Sequence, residues 1–440
     1  MKSCIAILTC LISLLTNAQT NTWRFDFGTG PTAAGYTAVS PAALYNEQTG
    51  YGFEAGSTLT ATNRGGKDPL RSDFIAGNLP FLFSVKVPEG NYRVTVIMGD
   101  AAGTSVATIR AECRRMMVQQ VQTKKGKFAT VSFLVHVKDS LIQGTDKKVR
   151  LKSREVNYLH WDNKLTLEFN GAQPKVCGLE ITPVQDVTTV FLAGNSTVVD
   201  QAEEPYAAWG QMLPAFFQPD KVVVANYAES GEALNSFLSA RRLEKILSLM
   251  NPGDYLFIEF GHNDQKQKGE GVGPFTTYKR DLKYYISEVR KKGGIPVLVT
   301  SMNRRSFDST GHIINTLGDY PAAVRQTATE ENVALIDLNN MSKILYEAWG
   351  ADKSQSAFVI YPANTFPGQD KELKDNTHFN PYGAYEIARC IAKGITDNKL
   401  GIAPYLKKEY QTFNPAQPDD LKKWYWPLSP RQNVTRPDGN

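Results

Sequence analysis

Residues 188–200 read TTVFLAGNSTVVD: a β-branched and apolar run, Thr188 to Ala193, that stops at Gly194-Asn195-Ser196-Thr197. A run without polar alternation suits a strand buried on both faces, as in a parallel sheet. Taken alone, Gly beside Ser at a strand end is only a turn followed by a helix cap. Its meaning comes from recurrence. From about Val187 onward similar runs follow, KVVVAN (221–226), DYLFIEF (254–260), IPVLVTS (295–301) and VALIDL (333–338). Between them lie stretches of helical periodicity such as ALNSFLSARRLEKILSLM (233–250) and YKRDLKYYISEVRKKGG (278–294), and a last helix opens at Asn380-Pro381. Buried strands alternating with amphipathic helices predict a parallel α/β sheet.

Ligands of an open parallel sheet meet the carboxyl ends of its strands. Tyr227-Ala228-Glu229-Ser230-Gly231 leaves one such end, and Gly261-His262-Asn263-Asp264 leaves another. KDNTHFNPYG (374–383) brings Asp375 and His378 just before the final helix. Acyl transfer asks for this set of residues. A serine hydroxyl becomes a useful nucleophile when an imidazole accepts its proton, and the imidazole needs an anion to hold its tautomer and stabilise its charged form. Ser196, His378 and Asp375 fit those roles. Backbone N–H groups of Gly231 and Ser196 and the side-chain amide of Asn263 can serve the oxygen that turns negative in the tetrahedral intermediate.

Gly194-Asn195-Ser196-Thr197, Asn226 with Gly231, Gly261-His262-Asn263-Asp264 and Asp375-x-x-His378 resemble, in order and spacing, the four blocks of the SGNH (GDSL) hydrolase superfamily. The Ser-Thr and Gly-His-Asn-Asp forms are most similar to the rhamnogalacturonan acetylesterase group, carbohydrate esterase family 12. Each block alone is a weak motif, whereas four in order are a strong one. The resemblance spans roughly Val187 to Leu400. It implies a flavodoxin-like five-stranded sheet, no metal or organic cofactor, Ser196 as nucleophile, His378 as general base and then acid, Asp375 as its orienting partner, and Ser196, Gly231 and Asn263 as the oxyanion hole. A pectic substrate is implied, with acetylated xylan also compatible.

Two positions depart from the family pattern. Asn195 stands where an aspartate is usual, which keeps the hydrogen-bonding reach and loses the charge. Glu232 stands beside Gly231, where it either faces the site and repels an anionic sugar or opens a helix toward solvent. His262 with Asp264 could suggest a metal, but the five histidines of the chain are scattered and Asp264 reads better as a turn residue.

The half before Gln185 has a different period. LFSVKVPEGNYRVTVIMG (82–99) alternates on both sides of a Pro-Glu-Gly-Asn turn, and TVSFLVHVKD, KLTLEFN and CGLEITPV repeat the pattern. Short alternating strands with glycine-bearing turns predict a β-sandwich. With WRFDFGTGP (23–31) and YGFEAG (51–56) it resembles the galactose-binding-like jelly rolls, although such aromatics more often fill a core than hold sugar. The expected organisation is a signal peptide over 1–18, a sandwich over 19–185, an SGNH hydrolase domain over 186–405 and a tail over 406–440, which either packs on the domain or trails in solvent.

The signal rests on Lys2, the apolar run from Cys4 to about Leu15, and Thr16-Asn17-Ala18. Its removal leaves Cys113, Cys177 and Cys390, too few for a disulfide framework, although Cys113 and Cys177 could bridge. A net charge of +5 with no basic stripe gives no nucleic-acid surface, and no mature segment is long enough to span a membrane. The expected partner is an acetylated polysaccharide or oligosaccharide, with the oligomeric state open. The expected protein is thus an exported carbohydrate acetylesterase. The rivals are a lipase or thioesterase on the same scaffold and a glycan-binding protein whose hydrolase half is inactive.

Overall fold

The structure, a computed structural model, describes residues 22–438, so the signal expected at 1–18 lies outside the described residues. In the amino-terminal half the strands are β1 (Trp23–Phe27), β2 (Thr37–Val39), β3 (Tyr51–Phe53), β4 (Leu59–Asn63), β5 (Asp73–Gly77) and β6 (Phe81–Lys86). They continue as β7 (Gly90–Asp100), β8 (Ser105–Ala111), β9 (Arg115–Thr123), β10 (Lys127–Val137), β11 (Lys164–Gln173) and β12 (Lys175–Pro183). One sheet runs β10-β7-β12-β1-β2, with β5 added to β12 and β4 to β5; the other runs β3-β6-β11-β8-β9. Along β7 the buried residues Tyr92, Val94 and Val96 recur every second position, as a half-buried strand requires. Phe25, Phe27, Phe53 and Phe83 meet between the sheets, with the Phe27 and Phe83 rings 5.0 Å apart and nearly perpendicular. The aromatics of the two glycine-rich openings therefore form core.

The second half carries five parallel strands, β13 (Thr188–Gly194), β14 (Val222–Asn226), β15 (Tyr255–Glu259), β16 (Ile295–Val299) and β17 (Ala334–Ile336), in the order β14-β13-β15-β16-β17. Successive residues of β13 face opposite layers. Val190 and Leu192 join Leu345 and Ile391 of the helices Leu338–Lys353 and Pro381–Asp397, while Phe191 and Ala193 join Ile246, Leu282 and Val324 on the other face. An antiparallel pair that the sequence pattern leaves unread, β18 (Phe358–Tyr361) and β19 (Leu373–Phe379), then delivers the chain to the last helix.

Two alternatives left open by the sequence are decided here. The tail packs: Tyr410 stacks on Phe216 with centroids 3.9 Å apart, Trp424 sits 4.4 Å from Tyr385, and Trp426 lies under the Arg110 guanidinium at 3.8 Å. Cys113 and Cys177 do not bridge; both are buried and free. Cys177 lies among Phe74 and Ile97 of the sandwich, whereas Cys113 lies on the loop whose carbonyl accepts from Gln211 Nε2 of the second half.

The two halves meet through buried charge. Arg114 pairs with Glu204 at 2.7 Å and Arg115 with Asp200 at 2.6 Å, and all four side chains are at most 1% exposed. The β8–β9 turn of the sandwich therefore grips the loop that follows Ser196.

Candidate active site

Gly194 ends β13 with no room for a side chain: a Cβ there would lie 2.4 Å from Val198 Cγ2 and 3.0 Å from the Glu259 carbonyl. The chain turns tightly, with the Val198 and Val199 N–H groups both donating to the Asn195 carbonyl at 3.0 Å. Asn195 Oδ1 accepts from the Thr197 N–H at 3.1 Å and the Thr197 hydroxyl at 2.8 Å. These are acceptor duties an amide oxygen performs as a carboxylate would, so the missing charge leaves the turn intact. Ser196 sits on its crest.

Asp375 and His378 both lie on β19. Asp375 Oδ1 accepts from the N–H groups of Thr377 and His378 at 2.8 and 3.0 Å, which folds the intervening backbone and turns the imidazole back onto its own carboxylate. Asp375 Oδ2 then lies 2.8 Å from His378 Nδ1, and His378 Nε2 lies 2.8 Å from Ser196 Oγ. All three side chains are buried. Burial alone would raise the Asp375 carboxyl; the hydrogen bond and charge of His378, with the two backbone N–H groups, bring it down to about 2.

Gly231 adopts φ +80°, a left-handed conformation that favours glycine, and a Cβ there would lie 2.9 Å from Asp438 Cβ. Its N–H and that of Ser196 donate to no described residue. Asn263 Nδ2 donates one hydrogen to the Glu232 carbonyl at 3.0 Å, which leaves its second free. Each of the three residues therefore keeps an N–H that no described residue accepts.

Glu232 takes neither of the orientations expected for it. It is buried, pairing with Lys152 at 3.1 Å and accepting from the Ser236 hydroxyl, so its charge is directed into the sandwich junction. Asp264 opens the tight turn Asp264–Lys266 and also accepts from the Leu234 N–H at 2.9 Å, thirty positions away, which ties the Asn263 loop to the segment after Gly231. Burial pushes its carboxyl up to about 7. His262 is buried, and burial together with the Arg304 charge drives its imidazole well below the usual range. Among the described residues no three His, Cys, Asp or Glu side chains gather around a common ion position.

Several contributors carry no sequence signal. The Glu259 carboxyl group accepts from Trp209 Nε1 at 2.7 Å and lies 3.2 Å from the Thr197 hydroxyl oxygen, bracing the Ser196 turn from beneath. Tyr206 stands edge-on to His378, centroids 5.8 Å apart. Arg436 of the tail donates Nε–H to Asp375 Oδ2 at 3.0 Å, and Arg154 of the sandwich pairs with Glu229 of the Gly231 turn at 2.5 Å. Both partners of each pair are remote in sequence, so no local motif announces them.

Comparison with known proteins follows the same division. Residues 183–384 match the family described as GDSL-like Lipase/Acylhydrolase family, and residues 23–143 match that described as Beta-agarase/YXIM esterase-like, galactose-binding domain-like. The chain is 43% identical over 219 residues to the rhamnogalacturonan acetylesterase RhgT of Bacillus subtilis (strain 168), covering 49% of this chain and 93% of that protein. It is 30% identical over 398 residues to an uncharacterized esterase of the same bacterium, YxiM, covering 88% and 94%. The crystal structure of Bacillus subtilis YxiM aligns over 87% of this chain and 99% of that one, with 25% identity and a TM-score of 0.45.

Proposed function

Because this chain belongs to the GDSL-like lipase/acylhydrolase family, and is a carboxylic-ester hydrolase with a galactose-binding-like amino-terminal domain, we propose that it is an exported polysaccharide acetylesterase that works through an acetyl-serine intermediate on Ser196. The observation that carries this reading is the relay from Asp375 through His378 to Ser196, two successive contacts of 2.8 Å in a buried setting.

In this mechanism His378 Nε2 takes the Ser196 proton as Oγ attacks the acetyl carbonyl, and Asp375 stabilises the imidazolium that results. The carbonyl oxygen, now negative, is held by the N–H groups of Ser196, Gly231 and Asn263. Collapse of the intermediate returns the proton from His378 to the departing sugar hydroxyl and leaves acetyl on Ser196. Water, deprotonated by the same imidazole, then releases acetate by the reverse sequence. The identity to rhamnogalacturonan acetylesterase RhgT supports a pectic glycan as the substrate.

Export is proposed from the amino-terminal signal pattern; among the described residues no helix is long and apolar enough to cross a membrane. The test is acetate release from acetylated rhamnogalacturonan and acetylated xylan by wild type and Ser196→Ala. Release confined to wild type and favouring the pectic polymer is expected. Activity on nitrophenyl esters that rises from acetate to octanoate would overturn the acetylesterase reading in favour of a lipase.

A further inference from the structure

A cavity of about 300 Å³ adjoins the Ser196–His378–Asp375 cluster, walled by Arg154 and Tyr158 of the sandwich, Tyr206 of the second half, and Arg431 and Arg436 of the tail. Its three guanidinium groups differ in what they already hold. Arg154 is spent: it pairs with Glu229 at 2.5 Å and with Asp438, and donates to the Ser230 carbonyl at 3.0 Å. Arg436 commits only Nε, to Asp375, and its two Nη groups make no hydrogen bond with the described residues. The Arg431 side chain makes none at all and no ion pair there, and its Nε is buried without a partner. Of the acidic side chains on the same wall, Asp438 is engaged by Arg154, and Glu203 pairs with no described cation.

Guanidinium N–H groups without acceptors in a half-closed cleft are costly, and the ligand that matches their planar fork is a carboxylate. We propose that Arg431 and Arg436 form a subsite for the carboxylate of a uronic acid residue in the glycan. The tail then selects acidic over neutral polysaccharide. Placement favours this, since Arg436 touches Asp375 and Tyr206 touches His378, so a sugar anchored here lies beside the reacting hydroxyl. The inference rests on the esterase reading above and names its substrate class.

The experiment measures binding and turnover separately on the full-length protein. Calorimetry compares a de-acetylated galacturonate-containing oligosaccharide with its carboxyl-reduced counterpart, on wild type, Arg431→Gln and Arg431→Lys. Wild type is expected to bind the acidic form about tenfold or more tightly, a preference weakened by added salt, lost in Arg431→Gln and partly kept in Arg431→Lys. Equal binding of the two sugars by folded wild type overturns the subsite. Carboxylate-dependent binding without acetate release from the acetylated polymer upholds the subsite and removes the esterase reading, so the two fail separately.

Discussion

Arg436 donates to the same oxygen of Asp375, Oδ2, that faces His378 Nδ1, at 3.0 Å against 2.8 Å. A residue near the chain's end thereby reaches the carboxylate that orients the imidazole. Arg436 is half exposed, which screens its charge, so His378 remains the stronger partner.

Asp375 is held down to about 2 mainly by His378 against the opposing pull of burial. A carboxylate depressed in the folded state contributes stability that is complete above its unfolded pKa of about 3.9 and is lost as pH falls through the folded value. Wild type is therefore expected to lose stability between about pH 4 and pH 2 through this group, a loss absent from Asp375→Asn. Urea unfolding across that range checks it. The same variant is expected to lose on the order of 10⁴-fold in turnover at neutral pH, because an amide no longer holds the productive tautomer.

Ser196→Ala is expected to reduce acetate release by at least about a thousandfold, leaving only what the donors and binding supply. Its melting temperature should stay within a few degrees of wild type, since Ser196 Oγ bonds only to His378 among the described residues. Release that survives in this variant would remove the serine mechanism.

Gly231→Ala forces a side chain into φ +80° and to within 2.9 Å of Asp438 Cβ. The strain costs about 1–2 kcal/mol, and displacing one donor of the proposed oxyanion hole costs on the order of a hundredfold in kcat. Kinetics on a small acetyl ester should show kcat falling much more than KM rises.

Glu259 behaves in the sense opposite to Asp375. Burial raises its carboxyl to about 7 from 4.5, despite the Trp209 hydrogen bond and the nearby Thr197 hydroxyl. The folded protein retains a proton that the unfolded chain has released, so stability is lost as pH rises from about 4.5 to about 7. Glu259→Gln keeps the acceptor for Trp209 and escapes that penalty. It should be more stable than wild type by on the order of 3 kcal/mol at pH 8, with the advantage vanishing near pH 4.5. Unfolding of both proteins at the two pH values measures this.

Arg115→Ala leaves Asp200 buried with, among the described residues, only the Asn226 amide at 2.8 Å as a hydrogen-bond partner. Breaking a buried pair in this way costs about 3–5 kcal/mol. Because Asp200 lies on the loop after Ser196, turnover of the folded fraction is also expected to fall. Melting curves and activity per folded molecule separate the two effects.

The parallel sheet was legible in the sequence, and so were the three residues that meet as Ser196, His378 and Asp375. Strands buried on both faces leave uninterrupted apolar runs, and the residues at their carboxyl ends follow within a few positions. His378 finds Asp375 three positions away, a separation any reader of the sequence can see. The sandwich was legible for the same reason, through its period of two.

What only the tertiary structure decided concerns charges whose partners are distant in the chain. Arg436 meets Asp375 across 61 residues, Arg154 meets Glu229 across 75, and Arg115 meets Asp200 across 85. In sequence each is one charged residue among many, and the physical default for such a residue is a solvated surface. Neither orientation weighed for Glu232, toward the site or toward solvent, included its buried pairing with Lys152, and the tail carrying Arg431 had no periodicity to place it. Local patterning records which face of an element is buried; it holds no record of which remote element supplies the opposite charge, and here that pairing joins the sandwich and the tail to the serine.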